Sequence, residues 1–266
     1  MDRRPIGVFD SGIGGLTVVR ELHRQLPHES LIYFGDTARV PYGNKSPDTV
    51  RRYAREILDF LLGRDVKMVV VACNTASAHA LDDLRGATPL PVEGVVGPGA
   101  RAAVAASRGG TIAVIGTAGT MQSGAYARAI HALSPKARVI EKACPLFVPL
   151  VEEGWLDADA TRLIARGYLD PSDTEGWDTL VLGCTHYPLL KPLIAGVVGP
   201  GVALIDSAEE TAALVARKLK ESGIEGPAEG EGHTHFVVSD APEQFARVGQ
   251  TFLGDRVRDI ESVALG

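Results

Sequence analysis

Short apolar runs alternate with segments of helical periodicity from one end of the chain to the other. This alternation leaves few folds open, because strand, helix and next strand pack only as right-handed crossovers on a parallel sheet. The runs predict strands at residues 6–9, 31–34, 66–72, 92–96, 111–115, 137–141, 179–182, 202–205 and 234–238. The best-marked helix starts at Ser46-Pro47, a capping hydroxyl followed by a proline at the first helical position, where a missing N–H does no harm. Its apolar residues Val50, Tyr53, Ala54, Ile57, Leu58, Leu61 and Leu62 recur every three or four positions, so one face packs on a sheet, and Gly63 ends it. The stretch 225–232, mostly Gly and Glu, predicts an exposed loop.

A weak internal repeat adds to this pattern. Ile6-Gly7-Val8-Phe9-Asp10-Ser11-Gly12 reads like Ile112-Ala113-Val114-Ile115-Gly116-Thr117-Ala118, 106 residues later. Val69-Val70-Val71-Ala72-Cys73-Asn74-Thr75 reads like Leu180-Val181-Leu182-Gly183-Cys184-Thr185-His186, 111 residues later. Ligands of open α/β sheets sit outside the carboxyl ends of the strands, so all four segments aim their polar ends at such a face. Two like domains facing each other bring two cysteines to one cleft.

Acids outnumber bases by 33 to 27, a net charge of −6, and Lys and Arg are scattered, which argues against a nucleic-acid partner. The three cysteines, at 73, 144 and 184, show no Cys-x-x-Cys or zinc-ligand spacing and read as reduced thiols of a cytosol. The apolar stretch before Asp10 is too short for a signal sequence or a membrane span, so a soluble cytoplasmic chain with no membrane partner is expected.

Cys73 and Cys184 each follow a strand and precede polar residues where the next helix begins, a setting that lowers a thiol pKa from about 8.5. Cys144, between apolar neighbours in Ala143-Cys144-Pro145-Leu146, reads as inert. Two matched thiols suit inversion of a carbon centre by proton transfer, which needs a base on one face, an acid on the other, and exchanged roles in reverse. His186, two residues past Cys184, suits a hydrogen-bond partner or proton relay. Asp10 and Ser11 end the first strand, and Gly12, Gly14 and Gly15 allow a tight turn with N–H groups free for a carboxylate. A dinucleotide fingerprint is the weaker reading there, since Thr17 stands at the third glycine position, although Asp36 ends the second strand as a ribose-binding acid would. His233 and His235 resemble half of a metal site, but no further ligands cluster nearby, and no metal is expected.

These residues closely resemble the glutamate racemases of the aspartate/glutamate racemase superfamily. The matching segments are Val8-Phe9-Asp10-Ser11-Gly12-Ile13-Gly14-Gly15, Tyr33-Phe34-Gly35-Asp36 with Pro41-Tyr42-Gly43, Ala72-Cys73-Asn74-Thr75-Ala76, Gly116-Thr117 with Thr120, Cys144-Pro145 through Glu152-Glu153-Gly154, and Leu182-Gly183-Cys184-Thr185-His186-Tyr187-Pro188. The resemblance implies two similar, pseudo-symmetric α/β domains with mainly parallel sheets, residues 1–96 with 207–266 and residues 97–206, and an active site in the cleft between them. It implies an isomerase that needs no cofactor, interconverts L- and D-glutamate and supplies D-glutamate for peptidoglycan. Cys73 would take the α-proton of D-glutamate while Cys184 donates on the opposite face, and the reverse for L-glutamate. Asp10 would be the partner of Cys73, and Glu152 and His186 the partners of Cys184. Ser11, Pro41, Tyr42, Gly43, Asn74, Thr75, Thr117, Thr120 and Thr185 would bind the substrate beside Asp10, His186 and the two thiols. A homodimer also fits the resemblance. The residues do not by themselves choose glutamate; that choice comes with the resemblance alone.

Overall fold

The computed structural model describes residues 1–170 and 172–265. Along the chain the strands are β1 (Ile6–Asp10), β2 (Leu31–Gly35), β3 (Met68–Val71), β4 (Val92–Gly94), β5 (Thr111–Gly116), β6 (Arg138–Ala143), β7 (Trp177–Gly183), β8 (Ala203–Asp206), β9 (Thr234–Val238) and β10 (Glu261–Ser262). The helices between and after them are α1 (Leu16–Gln25), α2 (Pro47–Gly63), α3 (Asn74–Gly86), α4 (Val96–Ala106), α5 (Ala118–Ser123), α6 (Ala125–Leu133), α7 (Phe147–Glu152), α8 (Asp159–Tyr168), α9 (Lys191–Val198), α10 (Ser207–Ser222) and α11 (Pro242–Leu253).

The strands form two sheets, one ordered β10-β9-β2-β1-β3-β4 and the other β6-β5-β7-β8. Every pairing in both is parallel. The order β2-β1-β3-β4 of the first sheet is repeated as β6-β5-β7-β8 in the second, which matches β1 with β5 and β3 with β7 and gives the sequence repeat its physical basis. Residues of β1, β3 and β7 are buried throughout, as expected of parallel strands covered on both faces, and this is why they read as unbroken apolar runs. One hydrophobic cluster runs through both sheets, joining Ile6, Val8 and Val70 of the first to Ala113, Ile115 and Leu180 of the second by way of α1 and α10. Separate clusters cover the outer face of each sheet. No helix among the described residues is long and apolar enough to cross a membrane.

Helix α2 begins as its sequence predicts, with the Ser46 hydroxyl accepting from the Thr49 amide at 3.3 Å and Pro47 in the first turn. It ends at Gly63, yet the left-handed residue that turns the chain is Asp65, at φ 54°. Strand β3 begins at Met68 rather than at residue 66, and β7 begins earlier than expected, at Trp177. The 92–96 run splits, with β4 stopping at Gly94 and Val96 opening α4. Strand β10 has two residues, too few for a period to be read, and it is held by Arg64 and His235, both of which bond to Glu261.

The lower edge of the first sheet is pinned by a buried ion pair. Lys67 donates from Nζ to Glu29 Oε2 at 2.6 Å and to the Asp2 carbonyl at 2.9 Å, with side-chain exposures of 0% and 7% for the pair. Glu29 Oε1 also accepts from the Gly226 amide at 2.6 Å, and the Gly232 amide donates to the Pro27 carbonyl. The largely exposed 225–232 loop is therefore fastened at both ends. Removing one member of such a pair strands the other charge in a dry site. Lys67→Met is expected to destabilise the fold by about 3–5 kcal/mol, and Lys67→Met/Glu29→Gln, which keeps an acceptor for Gly226, to recover at least half of that in urea unfolding. A loss under about 1 kcal/mol in the single variant would contradict a buried, charged pair.

Candidate active site

The carboxyl ends of β1, β3, β5 and β7 carry Asp10-Ser11, Cys73-Asn74-Thr75, Thr117 and Cys184-Thr185-His186, and side chains from the two sheets meet there. Thr75, at the start of α3, lies 3.0 Å from Thr117 and 3.1 Å from Thr120, whose hydroxyls are 3.0 Å apart, so three hydroxyls close a triangle across the junction. Thr17 of α1 donates to the Thr185 carbonyl at 3.1 Å. The contact at Gly14 is closer still: a Cβ there would stand 2.2 Å from Thr185 Oγ1 and 2.5 Å from His186 Nδ1. Gly43 is held in the same way against Thr117, with a Cβ distance of 2.7 Å.

The Cys73 sulfur caps α3, accepting from the Ala76 amide at 3.4 Å, and its thiol points at the Ser11 hydroxyl at 3.6 Å. The residue is 5% exposed. The expectation that the helix N-terminus lowers its pKa does not hold for this thiol. Burial, reinforced by the charge of Asp10, outweighs the amide and hydroxyl donors and pushes it up to about 12. Asp10 is itself buried, its Oδ2 accepting from the Gly12 amide at 3.0 Å, while Oδ1 meets no hydrogen-bond partner among the described residues. Burial raises the Asp10 pKa, against the opposing pull of His186 and the neighbouring amides. The amide of the glycine turn expected to serve a ligand carboxylate thus serves that of Asp10.

On the other sheet, His186 Nδ1 lies 3.9 Å from the Cys184 sulfur and Nε2 lies 2.9 Å from Glu152 Oε1, at the end of α7. The ring is fixed edge-on by Phe252, with centroids 5.8 Å apart. Burial alone would push the pKa of this imidazole down; its bonds to Cys184 and Glu152, and their charges, more than offset that and raise it to about 10. Cys184, His186 and Glu152 therefore form a line along which a proton can be held. The two thiols have unlike company: a carboxylate and a hydroxyl for Cys73, an imidazole backed by a carboxylate for Cys184.

Asn74 is buried with its Oδ1 bonded to Tyr126 at 2.7 Å and its Nδ2 unpartnered among the described residues. Two buried polar atoms, one acceptor on Asp10 and one donor on Asn74, thus stand unpaired beside the same thiol. Buried polar atoms are rarely left without a partner, and Arg39 Nη2 and Trp177 Nε1 are the other two such atoms among the described residues. Not every expected residue joins this group. The Tyr42 hydroxyl donates instead to Asp36, the fully buried acid that also accepts from Arg39 Nε and Ser239 Oγ at 2.8 Å each. Asp36 is therefore spent on the fold and is no ribose ligand, and the one hydrogen of the Tyr42 hydroxyl is spent on Asp36. Pro41 is exposed. Cys144 is buried in the core, its pKa pushed up to about 12 by burial, in keeping with an inert thiol. His235 bonds to Glu261 at 2.7 Å and His233 faces Ser30 at 3.2 Å, and no group of three metal-ligating side chains occurs among the described residues. A surface cavity of about 110 Å³ is lined by Gly12, Glu152 and Phe245 among others but by neither Cys73 nor Cys184.

Known proteins resemble this chain along its whole length. A glutamate racemase of Geobacter metallireducens is 54% identical over 265 residues, covering 100% of this chain and 98% of that protein. The crystal structure of the Thermus thermophilus glutamate racemase in complex with beta-chloro-D-alanine matches at a TM-score of 0.90 and 50% identity, covering 100% of this chain and 99% of that one. That of the Francisella tularensis glutamate racemase in complex with D-glutamate matches at a TM-score of 0.93 and 39% identity, with the same coverage. The family model described as Asp/Glu/Hydantoin racemase matches residues 6–215. This chain belongs to the Asp/Glu/Hydantoin racemase family and is an isomerase.

Proposed function

We propose that this protein is a glutamate racemase in which Cys73 and Cys184 exchange the α-proton of the substrate from opposite faces. The observation that carries this reading is the pair of thiols at the ends of equivalent strands, each with its own hydrogen-bond partner. Relatives of about half-identical sequence along the full chain bear that name, and one solved neighbour holds D-glutamate. The two units are 1–96 with 207–266 and 97–206, a division that follows the membership of the two sheets. By the same family likeness the product D-glutamate goes to peptidoglycan.

With D-glutamate, the Cys73 thiolate takes the proton from Cα and becomes a thiol. The Cys184 thiol then gives its proton to the other face, leaving L-glutamate and a Cys184 thiolate, the state from which the reverse reaction starts. Because the Cys73 pKa is pushed up to about 12 in the free protein, its thiolate needs a nearby positive charge, and the ammonium of the substrate supplies one. The unpaired Asp10 Oδ1 suits that ammonium, and Asn74 Nδ2 with the hydroxyls of Ser11, Thr75, Thr117, Thr120 and Thr185 suits the carboxylates. Tyr42 and Gly43 contribute by position. Burial of both thiols keeps water from the carbanion-like intermediate.

Incubation in D2O with either enantiomer of glutamate and no added cofactor should wash out the α-proton signal while optical rotation decays. Absence of exchange in folded, reduced protein would turn the reading towards another acidic substrate. Cys73→Ala and Cys184→Ala should each lower the interconversion rate by at least about 10²–10⁴-fold with the fold intact. Near wild-type turnover in either variant is incompatible with a two-thiol scheme. The profile of kcat against pH should be bell-shaped, since in the substrate complex one sulfur must be charged and the other protonated. His186, raised to about 10, keeps its proton below that value and loses it above, so the alkaline limb should fall near pH 10 and move in His186→Asn. A limb unmoved by that substitution would remove His186 from the proton path.

A further inference from the structure

Tyr126, on α6, reaches residues beside both candidate catalytic cysteines. It is fully buried, and its hydroxyl donates to Oδ1 of Asn74, the residue after Cys73, at 2.7 Å. Its ring lies under the residue before Cys184: a Cβ on Gly183 would stand 3.1 Å from Cε2. On a further side the ring edge and hydroxyl face Gly99 of α4, where a Cβ would stand 3.3 Å from each. The phenol is thus wedged between a helix of the second sheet and the first turn of α3, 52 residues away in sequence.

The phenol has one hydrogen to give, and Asn74 Oδ1 receives it. The amide of Asn74 is then turned one way only. Its carbonyl faces Tyr126, and its Nδ2, buried and unpartnered among the described residues, faces away with two N–H groups to offer. An amide left so gains by meeting a negatively charged acceptor.

We propose that Tyr126 is a positioning residue for the reaction: its hydroxyl fixes the amide of Asn74 with Nδ2 presented to a substrate carboxylate, and its ring holds the Cys184 turn at a set distance from that amide. This rests on the assignment of Asn74 to substrate binding made above. The phenol touches no substrate and acts through Asn74.

The test is a double-mutant cycle of Tyr126→Phe and Asn74→Ala, with kcat and KM measured in both directions by circular dichroism. Tyr126→Phe keeps the ring and removes only the hydroxyl. It should lower kcat/KM about tenfold for both enantiomers, through KM more than kcat, as loss of one oriented hydrogen bond to a charged group implies. In the Asn74→Ala background the same substitution should cost less than about twofold, because the group it orients is gone. A wild-type KM in Tyr126→Phe, or an equal cost in both backgrounds, overturns the proposal. A raised KM in Asn74→Ala beside a normal one in Tyr126→Phe sinks the role of Tyr126 alone. An unchanged KM in Asn74→Ala sinks the binding role of Asn74 and the proposal with it, while α-proton exchange by the unaltered protein still tests the racemase reading separately.

Discussion

At Gly14 the two sheets come so close that only a hydrogen atom fits between the turn after β1 and the turn after β7. The site is one site because the two sheets touch. Asp10 feels the charge of His186 from the other sheet, and at further points the Thr75, Thr117 and Thr120 hydroxyls close on one another and Tyr126 reaches Asn74. A methyl group at residue 14 would push the turn that holds His186 outward, and the line from Cys184 to Glu152 would lose its geometry. The glycines here are set by contact rather than by unusual backbone angles.

Burial has a second consequence, electrostatic rather than steric. A helix N-terminus offers a thiol a fraction of a charge, but a dry pocket beside a carboxylate takes away more than that. Cys73 therefore rests far above the ordinary thiol range although it caps α3. His186 shows the opposite balance, since two close partners hold its proton against the burial that would strip it. Comparable burial thus leads to opposite outcomes according to what lies within hydrogen-bond reach.

Much of this was legible in the sequence. Buried parallel strands must be apolar on both faces, so β1, β3, β5 and β7 announced themselves, and the polar residues that follow each marked the carboxyl edge. The Ser46-Pro47 start of α2 could be read because capping is local. What could not be read depends on partners far away along the chain. The bond from Tyr126 to Asn74 leaves no periodic trace, and a tyrosine on a helix is ordinarily a packing residue. The hydroxyl of Tyr42 donates to Asp36, a bond set by an acid six residues away that Arg39 and Ser239 also hold. The end of β4 was misplaced because valines serve a strand and a buried helix start equally well. The pKa of Cys73 was misjudged because the helix end is visible in a sequence and the depth of burial is not.

The repeated strand order makes the two thiols products of one architectural plan, yet their neighbours are not mirror images. Enantiomers have equal free energy in water, so the equilibrium constant of a racemisation is one whatever the catalyst does. In the two-thiol reading, the Haldane relation then forces kcat/KM to be the same in both directions. The difference between an Asp10 side and a His186–Glu152 side can appear only as a trade, with the direction that turns over faster binding its substrate more weakly by the same factor. An asymmetric site serving a symmetric equilibrium is in this way free to set which enantiomer it holds at rest, and unable to set which one it makes.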